Sequence, residues 1–205
     1  MLALGKISDP EKARRYLETI SREGERLTTL IDNVLDFARM ERGKLAYKME
    51  EGDITPAVMS AVDLARFKFE QQHMGLEVHV GDALPAVPHD PHAITLAVLN
   101  LLDNAVTYAE GSDKVAVTVT ESRNGGPGGR VAISVRDWGP GVPKGEQRQI
   151  FERFFRGEKA RERHKRGTGI GLTLVKSIIE SHGGRVQIRS PLETSGRGTE
   201  FLITL

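Results

Sequence analysis

The chain has 205 residues, of which 39% are hydrophobic and 28% are charged, proportions that are ordinary for a globular protein. Its formal net charge is only +1, which argues against a general electrostatic attraction to nucleic acid or to a membrane surface. The absence of cysteine excludes disulfides, thiolate zinc sites and a cysteine nucleophile. The sequence has no run of about eighteen apolar residues and no signal-peptide pattern at its start, so we expect no membrane-spanning segment in it.

Residues 8–44 have the pattern of one long helix. Ser8 and Glu11 have the spacing of a capping box, Pro10 suits the first turn and Gly43 would end the helix. Since no second helix of similar length is present, we expect its apolar stripe to face another chain or a segment outside this one; packing along its own domain is the alternative. The stripe has the alternating steps of three and four that are typical of a coiled-coil seam: Leu17, Ile20, Gly24, Leu27, Ile31, Val34 and Ala38.

After Gly52 the pattern changes to that of a mixed α/β domain. Residues 82–93 are rich in proline and predict a loop, with Asp90 as the N-cap of the next helix. Alternating apolar residues predict strands at residues 76–81, 114–122, 130–139, 185–190 and 200–205. Helices are predicted from Pro56 to His73 with a stop at Gly75, after Asp90, over residues 145–157, and from Ile170 to a stop at Gly183 and Gly184.

These elements predict an α+β fold, a two-layer sandwich of a mixed sheet with helices on one face, preceded by the long coiled-coil-like helix. The change of pattern lies near residues 44–53. We therefore expect a helical domain over residues 1–48 and a second domain over residues 49–205.

The stretch VLNLLDNAVTYA, residues 98–109, carries two amides on an otherwise apolar helix. Asn100 and Asn104 are four residues apart and share one face with Tyr108. A buried amide without a partner costs on the order of 1–3 kcal/mol, so this face requires internal partners or a polar cavity. An amide oxygen is a hard ligand that suits Mg²⁺, either directly or through water. The alternative is that both amides cap a loop.

A second motif, RDWGPGVP at residues 136–143, directly follows a predicted strand. The carboxylate of Asp137 can accept a hydrogen bond from an exocyclic amine, and Gly139 and Gly141 let the backbone approach a flat ligand. An ordinary turn is the alternative.

A third motif, RGTGIGLTLV at residues 166–175, places three alternating glycines at the start of a helix. Backbone N–H groups at a helix N-terminus form an anion site. The G-x-G-x-G spacing and the lack of a βαβ frame argue against a Rossmann site, and no P-loop motif occurs. The preceding segment, residues 156–166, is either a solvated loop or a lid that adds positive charge over a polyphosphate. Its cations are Arg156, Lys159, Arg161, Arg163, Lys165 and Arg166.

The order of these motifs resembles the sensor histidine kinases. NLLDN, DWGPG, FERFF, GTGIGL and a late GRGTEF correspond to the N, G1, F and G2 boxes and the terminal glycine turn of that family. The part after about residue 53 resembles the Bergerat-type ATP-binding domain shared with gyrase-type ATPases, Hsp90 chaperones and MutL-like proteins. The first helix resembles the second helix of the dimerisation and phosphoacceptor domain.

The resemblance implies ATP and Mg²⁺ as the bound species and assigns roles to individual residues. Asn104 would ligate Mg²⁺, Asn100 would lie beside the phosphates and the metal, and both would be catalytic. Asp137 would hold the adenine amine, and the phenylalanines of FERFF, Phe151 and Phe154, would anchor the lid. The other implied nucleotide-binding residues are Tyr108, Gly139, Gly141, Arg156, Lys165, Arg166, Gly167, Thr168, Gly169, Ile170, Gly171, Leu172 and Thr199.

The resemblance further implies a kinase and not an ATP hydrolase. In the hydrolysing relatives a glutamate that activates water lies four residues before the metal asparagine, where this chain has Asn100, which cannot take up a proton. The γ-phosphoryl group would pass to a histidine and then to a response-regulator aspartate.

Two departures from the family pattern qualify this reading. Thr107 stands where the family usually has a phosphate-contacting lysine, so ATP affinity could be lower, or a lid arginine could substitute for the lysine. The chain also has six histidines, none on the first helix and none in the phosphoacceptor pattern. We therefore expect a fragment without the histidine helix, which would not phosphorylate itself at the usual site.

The family also implies partners. The intact protein would form a homodimer through the first helix and act on a response-regulator receiver domain; no nucleic acid is expected. The chain would be cytoplasmic, or the cytoplasmic portion of a sensor attached to the membrane through upstream segments. Two alternatives keep the pocket: a catalytically silent nucleotide-sensing interaction module, and a serine kinase of the anti-sigma type.

Overall fold

The computed structural model describes residues 9, 11–14, 16–17, 19–20, 24, 47–122, 131–158, 168–192 and 196–205. The chain divides into two units, Met1–Leu45 and Ala46–Leu205. None of the helices in these described ranges has the length and hydrophobicity of a membrane span.

The described residues of the first unit from Glu11 to Gly24 are helical. Ser8, the predicted cap, lies outside the described residues. Asp9 Oδ1 accepts hydrogen bonds from the backbone N–H groups of Glu11 over 3.0 Å and Lys12 over 3.3 Å. A carboxylate at this position also interacts favourably with the positive end of the helix. Leu17 and Ile20 of the predicted seam are exposed. Leu27, Ile31, Val34 and Ala38 of the seam, and Gly43, lie outside the described residues.

Three α-helices of the second unit are α1 (Thr55–Gln71), α2 (Pro91–Tyr108) and α3 (Gly171–Ser181). Its strands are β1 (Glu50–Gly52), β2 (Gly75–Val80), β3 (Val87–His89), β4 (Lys114–Glu121), β5 (Val131–Asp137), β6 (Arg185–Arg189) and β7 (Thr199–Thr204). Five of them form a mixed sheet in the order β2-β4-β5-β7-β6, in which β2 and β4 are parallel and the other pairs antiparallel. The predicted α+β sandwich with helices on one face is therefore confirmed.

Strand alternation determines which residues face the helices. On β5 the buried positions are Val131, Ile133, Val135 and Asp137, and the residues between them are half-exposed on the other face. The register pairs Asp137 with Val115 on one side and Thr199 on the other. A carboxylate therefore ends a row of apolar core positions.

Three local predictions were wrong. The proline-rich loop contains the short strand β3, which pairs with β1 in a separate two-stranded sheet; this pairing joins segments far apart in sequence. α1 ends at Gln71, close to the predicted end at His73, but the predicted stop residue Gly75 instead begins β2. The chain leaves α1 through His73, whose positive φ of 51° lets Met74 N–H bond to the Phe69 carbonyl over 3.0 Å.

The third wrong prediction is the helix at residues 145–157. This segment contains turns and a single 3₁₀ turn, Gln149–Phe151, that buries none of its residues. Because no residue from 145 to 158 is fully buried, a longer helix here would lack most of the packing that stabilises helices in proteins.

Candidate functional site

The helix α2 presents the two predicted amides. Its N-terminus is capped by Asp90, whose Oδ1 accepts from the backbone N–H groups of the first turn. Asn100 Nδ2 donates to the Leu96 carbonyl over 2.9 Å. Its Oδ1 lies only 2.8 Å from the place that a Cβ on Gly171 would occupy. A side chain at the first residue of α3 would therefore require Asn100 to move away from the N-terminus of α3.

One turn further along α2, Asn104 has an unsatisfied amide. Its Nδ2 is buried and has no hydrogen-bond partner among the described residues. Exchanging the amide oxygen and nitrogen would leave a polar atom at the same place, so the vacancy does not depend on how the amide is assigned. A group from outside the described residues is needed to satisfy it.

With the amide turned so that its oxygen occupies this place, Asn104 fits Mg²⁺ as a ligand. Among the described residues no group of three or more His, Cys, Asp or Glu side chains could hold a metal ion. Mg²⁺ commonly takes one or two protein oxygens and completes its shell with substrate phosphates and water. A single amide oxygen beside a polyphosphate is therefore an adequate protein contribution.

The C-terminal end of α2 meets the loop that follows β5. A Cβ on Gly139 would lie 2.5 Å from Ala109 Cα, so only glycine permits this contact. Tyr108, which precedes Ala109, is half-buried. This contact brings Asp137 to the end of the helix that carries Asn100 and Asn104.

Asp137 is a buried carboxylate, 8% exposed, with two backbone donors. Gly139 N–H donates to its Oδ1 over 2.8 Å, and the backbone of Thr199 donates as well. Burial raises the pKa of Asp137 from its ordinary value near 3.8 to about 6, and the two backbone hydrogen bonds oppose that rise. The carboxylate has acceptor capacity left for an amine of a ligand.

The glycine turn leads into α3 without a side-chain cap. Thr168 Oγ1 accepts from Ile170 N–H over 3.1 Å, and Gly169, with a φ of 72°, accepts from Phe154 N–H over 3.0 Å. Ile170, at the N-cap of α3, is buried and makes no side-chain hydrogen bond to the first turn. Among the described residues no side chain caps the N–H groups of that turn, so they can bind an anion, and Leu172 lies among them half-buried.

Some of the remaining predicted residues lie in the described part of the chain and others lie outside it. Phe151 packs its ring edge-on against Phe201 at 6.3 Å, whereas the Phe154 side chain is 65% exposed, so Phe154 holds the glycine turn through its backbone. Gly141 has a φ of 77° and Arg156 is half-buried. Lys165, Arg166 and Gly167 lie outside the described residues.

Sequence reasoning missed the polar residues behind the site. Ser112 Oγ accepts from Trp138 N–H over 3.1 Å and holds the residue after Asp137. Ser190 and Gln147 bond the loop after β5 to the hairpin before β7. Isolated serines and glutamines in loops carry no periodic or spacing signal, so only the tertiary contacts reveal them.

Comparison with known proteins places the chain in a family. Residues 89–205 match the family described as histidine kinase-, DNA gyrase B-, and HSP90-like ATPase, and residues 1–43 match the His Kinase A (phospho-acceptor) domain. The chain belongs to the sensor histidine kinases. The family predicted from the motif order is therefore confirmed, as is an ATP-binding catalytic domain.

The similarity of this histidine kinase chain to individual proteins is consistent with the family. Sensor protein SrrB of Staphylococcus aureus (strain N315) is 31% identical over 204 residues, which are 98% of this chain and 33% of SrrB. The structure of full-length ShkA in complex with AMPPNP has a TM-score of 0.76 and 27% identity, over 99% of this chain and 40% of ShkA. The mycobacterial sensor histidine kinase MprB has a TM-score of 0.63 and 29% identity, over 77% of this chain and 96% of the MprB chain. The chain spans about a third of the length of the curated relatives that it matches.

Proposed function

We propose that this histidine kinase chain binds ATP with Mg²⁺ along α2 and transfers the γ-phosphoryl group to a histidine on a phosphoacceptor helix. One observation carries the proposal. At Ala109, α2 contacts the loop that follows the buried Asp137, and at Asn100 it contacts the N-terminus of α3, which has no side-chain cap. Asn100 and Ala109 are nine residues apart, or about 14 Å along the helix, a length that an extended nucleoside triphosphate spans. The base lies at the Asp137 end and the phosphates lie at the α3 end.

At the base end, Asp137 accepts a hydrogen bond from the adenine amine while the backbone of Gly139 and Thr199 orients its carboxylate. Gly141 and Tyr108 border the base. This arrangement selects a purine that carries an amine, because a buried acceptor without a donor is unfavourable.

At the phosphate end, the N-terminus of α3 and the glycine turn bind the anionic oxygens. The amide of Asn104 is the protein ligand for Mg²⁺, which, when bound, neutralises phosphate charge. Asn100 donates to its own helix and has no titratable group, so it orients the phosphates without activating water. The chain then acts mainly by positioning and charge neutralisation.

Positive charge comes from the segment before the glycine turn. The Thr107 hydroxyl donates to the Asp103 carbonyl of its own helix over 2.7 Å, so it is committed away from the nucleotide. We assign the compensating cations to Arg156, Lys165 and Arg166.

The wider assignment follows the family. Residues 1–48 belong to the helical dimerisation and phosphoacceptor domain, and residues 49–205 form the ATP-binding domain. The intact protein is a homodimer in the cytoplasm that passes the phosphoryl group to the aspartate of a receiver domain.

A transfer assay tests the proposal. The chain is incubated with γ-labelled ATP, Mg²⁺ and a separate polypeptide that carries the cognate histidine helix, with Asn104→Leu as the control variant. Acid-labile label on the helix, absent with the control variant, is expected. ATP binding without label would instead indicate a nucleotide-sensing module. Thr107 favours that outcome, because its hydroxyl bonds to its own helix and replaces the usual phosphate-contacting lysine. Acid-stable label on serine would make it a serine kinase.

A further inference from the structure

Ser190 directly follows β6 and is buried, with 8% of its surface exposed. Its hydroxyl accepts a hydrogen bond from Val142 N–H over 2.7 Å and donates to the Gly198 carbonyl over 2.8 Å. Only a group that donates and accepts at once satisfies both backbone atoms. Ser190 therefore bonds through one side chain to two loops that are far apart in sequence.

Both loops adjoin Asp137, because Thr199 is the partner of Asp137 in the register of β5 and β7. The first loop runs from Asp137 through Gly139 to Val142, and the second runs through Gly198 to Thr199. Gly198 N–H also donates to the Gly139 carbonyl over 2.8 Å. The two backbone donors on the Asp137 carboxylate, from Gly139 and Thr199, thus lie one on each segment that Ser190 connects.

Gln147 reinforces the same junction. Its Nε2 donates to the Ser190 carbonyl and to the Val142 carbonyl, the latter over 3.1 Å. Ser190 Oγ lies 3.4 Å from Thr199 Oγ1. The junction thus consists of a buried hydroxyl and a half-buried amide. Among the described residues neither group hydrogen-bonds to the Asp137 carboxylate itself.

We propose that Ser190 is a positioning residue that sets how strongly the site discriminates for a purine carrying a 6-amino group. It acts through Asp137, by holding the Gly139 and Thr199 donors that aim the carboxylate. This inference rests on the proposed function. Removing the hydroxyl takes the Ser190 partner away from the half-buried Val142 N–H and from the buried Gly198 carbonyl, and the two donors then move relative to each other.

The test compares two nucleotides on the Ser190→Ala variant. Binding is measured by calorimetry with Mg²⁺, using ATP and the triphosphate of purine riboside, which lacks the 6-amino group. We expect Ser190→Ala to weaken ATP about tenfold and the analogue less than twofold, so that the preference for ATP falls about tenfold. Ser134→Ala, a half-exposed serine on β5 outside this network, should leave both affinities unchanged.

Equal weakening of both nucleotides would overturn the inference, because a general loosening of the pocket does not depend on the amine. Gln147→Ala gives a second test if Ser190→Ala does not fold: it should lower the preference for ATP in the same sense by a smaller factor. An unchanged preference in Gln147→Ala would then overturn the inference. Failure of the unaltered chain to bind ATP would instead refute the proposed function, so the two failures are distinguishable.

Discussion

His182 accepts a hydrogen bond through Nε2 from the backbone N–H of Asp90 over 3.0 Å. Its Nδ1 lies 2.7 Å from the Ile178 carbonyl, so an imidazole with its proton on Nδ1 satisfies both contacts. Because Asp90 caps the start of α2 and His182 the end of α3, this ring joins the two helices that carry the proposed phosphate site. The Tyr47 ring packs on His182 at 4.9 Å, and Lys48 N–H donates to Asp90 Oδ2 over 2.9 Å.

Replacing this imidazole should destabilise the fold. His182→Ala leaves the Asp90 N–H without its acceptor and removes buried ring contacts, so we expect the free energy of unfolding to fall by about 2–3 kcal/mol. Urea denaturation followed by circular dichroism measures the change. The matched control is His79→Ala on the exposed part of β2, which should stay within about 0.5 kcal/mol. Equal effects of the two changes would refute the structural role of His182.

Replacing the buried carboxylate should separate binding from stability. Asp137→Asn keeps the side-chain shape but weakens the acceptor, so ATP affinity should fall at least about tenfold. The raised pKa, about 6 against an ordinary 3.8, means that keeping the carboxylate ionised at neutral pH costs on the order of 3 kcal/mol. The nucleotide-free variant should therefore melt several degrees higher at pH 7.5. Calorimetry and thermal unfolding measure the two effects; a lower melting temperature would contradict the second.

The same carboxylate predicts two opposite pH dependences. Because the folded pKa is raised to about 6, the folded chain binds more protons than the unfolded chain between that pH and the ordinary value near 3.8. This group's contribution to nucleotide-free stability therefore falls as pH rises through that window and is constant above it. ATP affinity should instead rise through pH 6, because the ionised carboxylate is the better acceptor.

Titrations from pH 5 to about pH 8 with the unaltered chain and Asp137→Asn measure the second dependence. Taking the difference between the two affinity profiles cancels the effect of the protonation of ATP itself. Parallel profiles would show that Asp137 does not contact the base.

The unsatisfied amide of Asn104 should account for the effect of Mg²⁺ on ATP affinity. Asn104→Leu replaces a buried amide that has no partner among the described residues with an apolar group of similar size, so the fold should be no less stable. The gain in ATP affinity on adding Mg²⁺ should disappear. Calorimetry with and without Mg²⁺ checks this, and Thr107→Ala, whose hydroxyl bonds to its own helix, is the control that should retain the gain. A retained gain in Asn104→Leu would place the metal elsewhere.

A cation at position 107 should strengthen binding. Thr107→Lys adds a positive charge one residue before Tyr108, and we expect ATP affinity to rise several-fold at low salt and less at high salt. Thr118→Lys, on the half-exposed face of β4, adds the same charge away from the site and should change little. If both variants bind ATP equally well, the effect is only one of net charge.

Much of the fold could be predicted because its signals are local. The alternation of β4 and β5 and the Asp90 cap of α2 are properties of neighbouring residues, and they are found as predicted. The pairing of β1 with β3 is not local, and neither propensity nor periodicity contains it. The chain turns out of α1 at His73, which has left-handed backbone angles, whereas the sequence indicated Gly75 as the stop residue.

The sequence by itself determined the family and the residues proposed to meet the nucleotide, because Asn100, Asn104 and Asp137 lie in short motifs whose order is readable. Only the tertiary structure decided how these residues are held. Ser190 bonds to Val142 across 48 positions, and His182 bonds to Asp90 across 92. Such contacts leave no local pattern, because a hydrogen bond requires only that the folded chain bring a donor and an acceptor together.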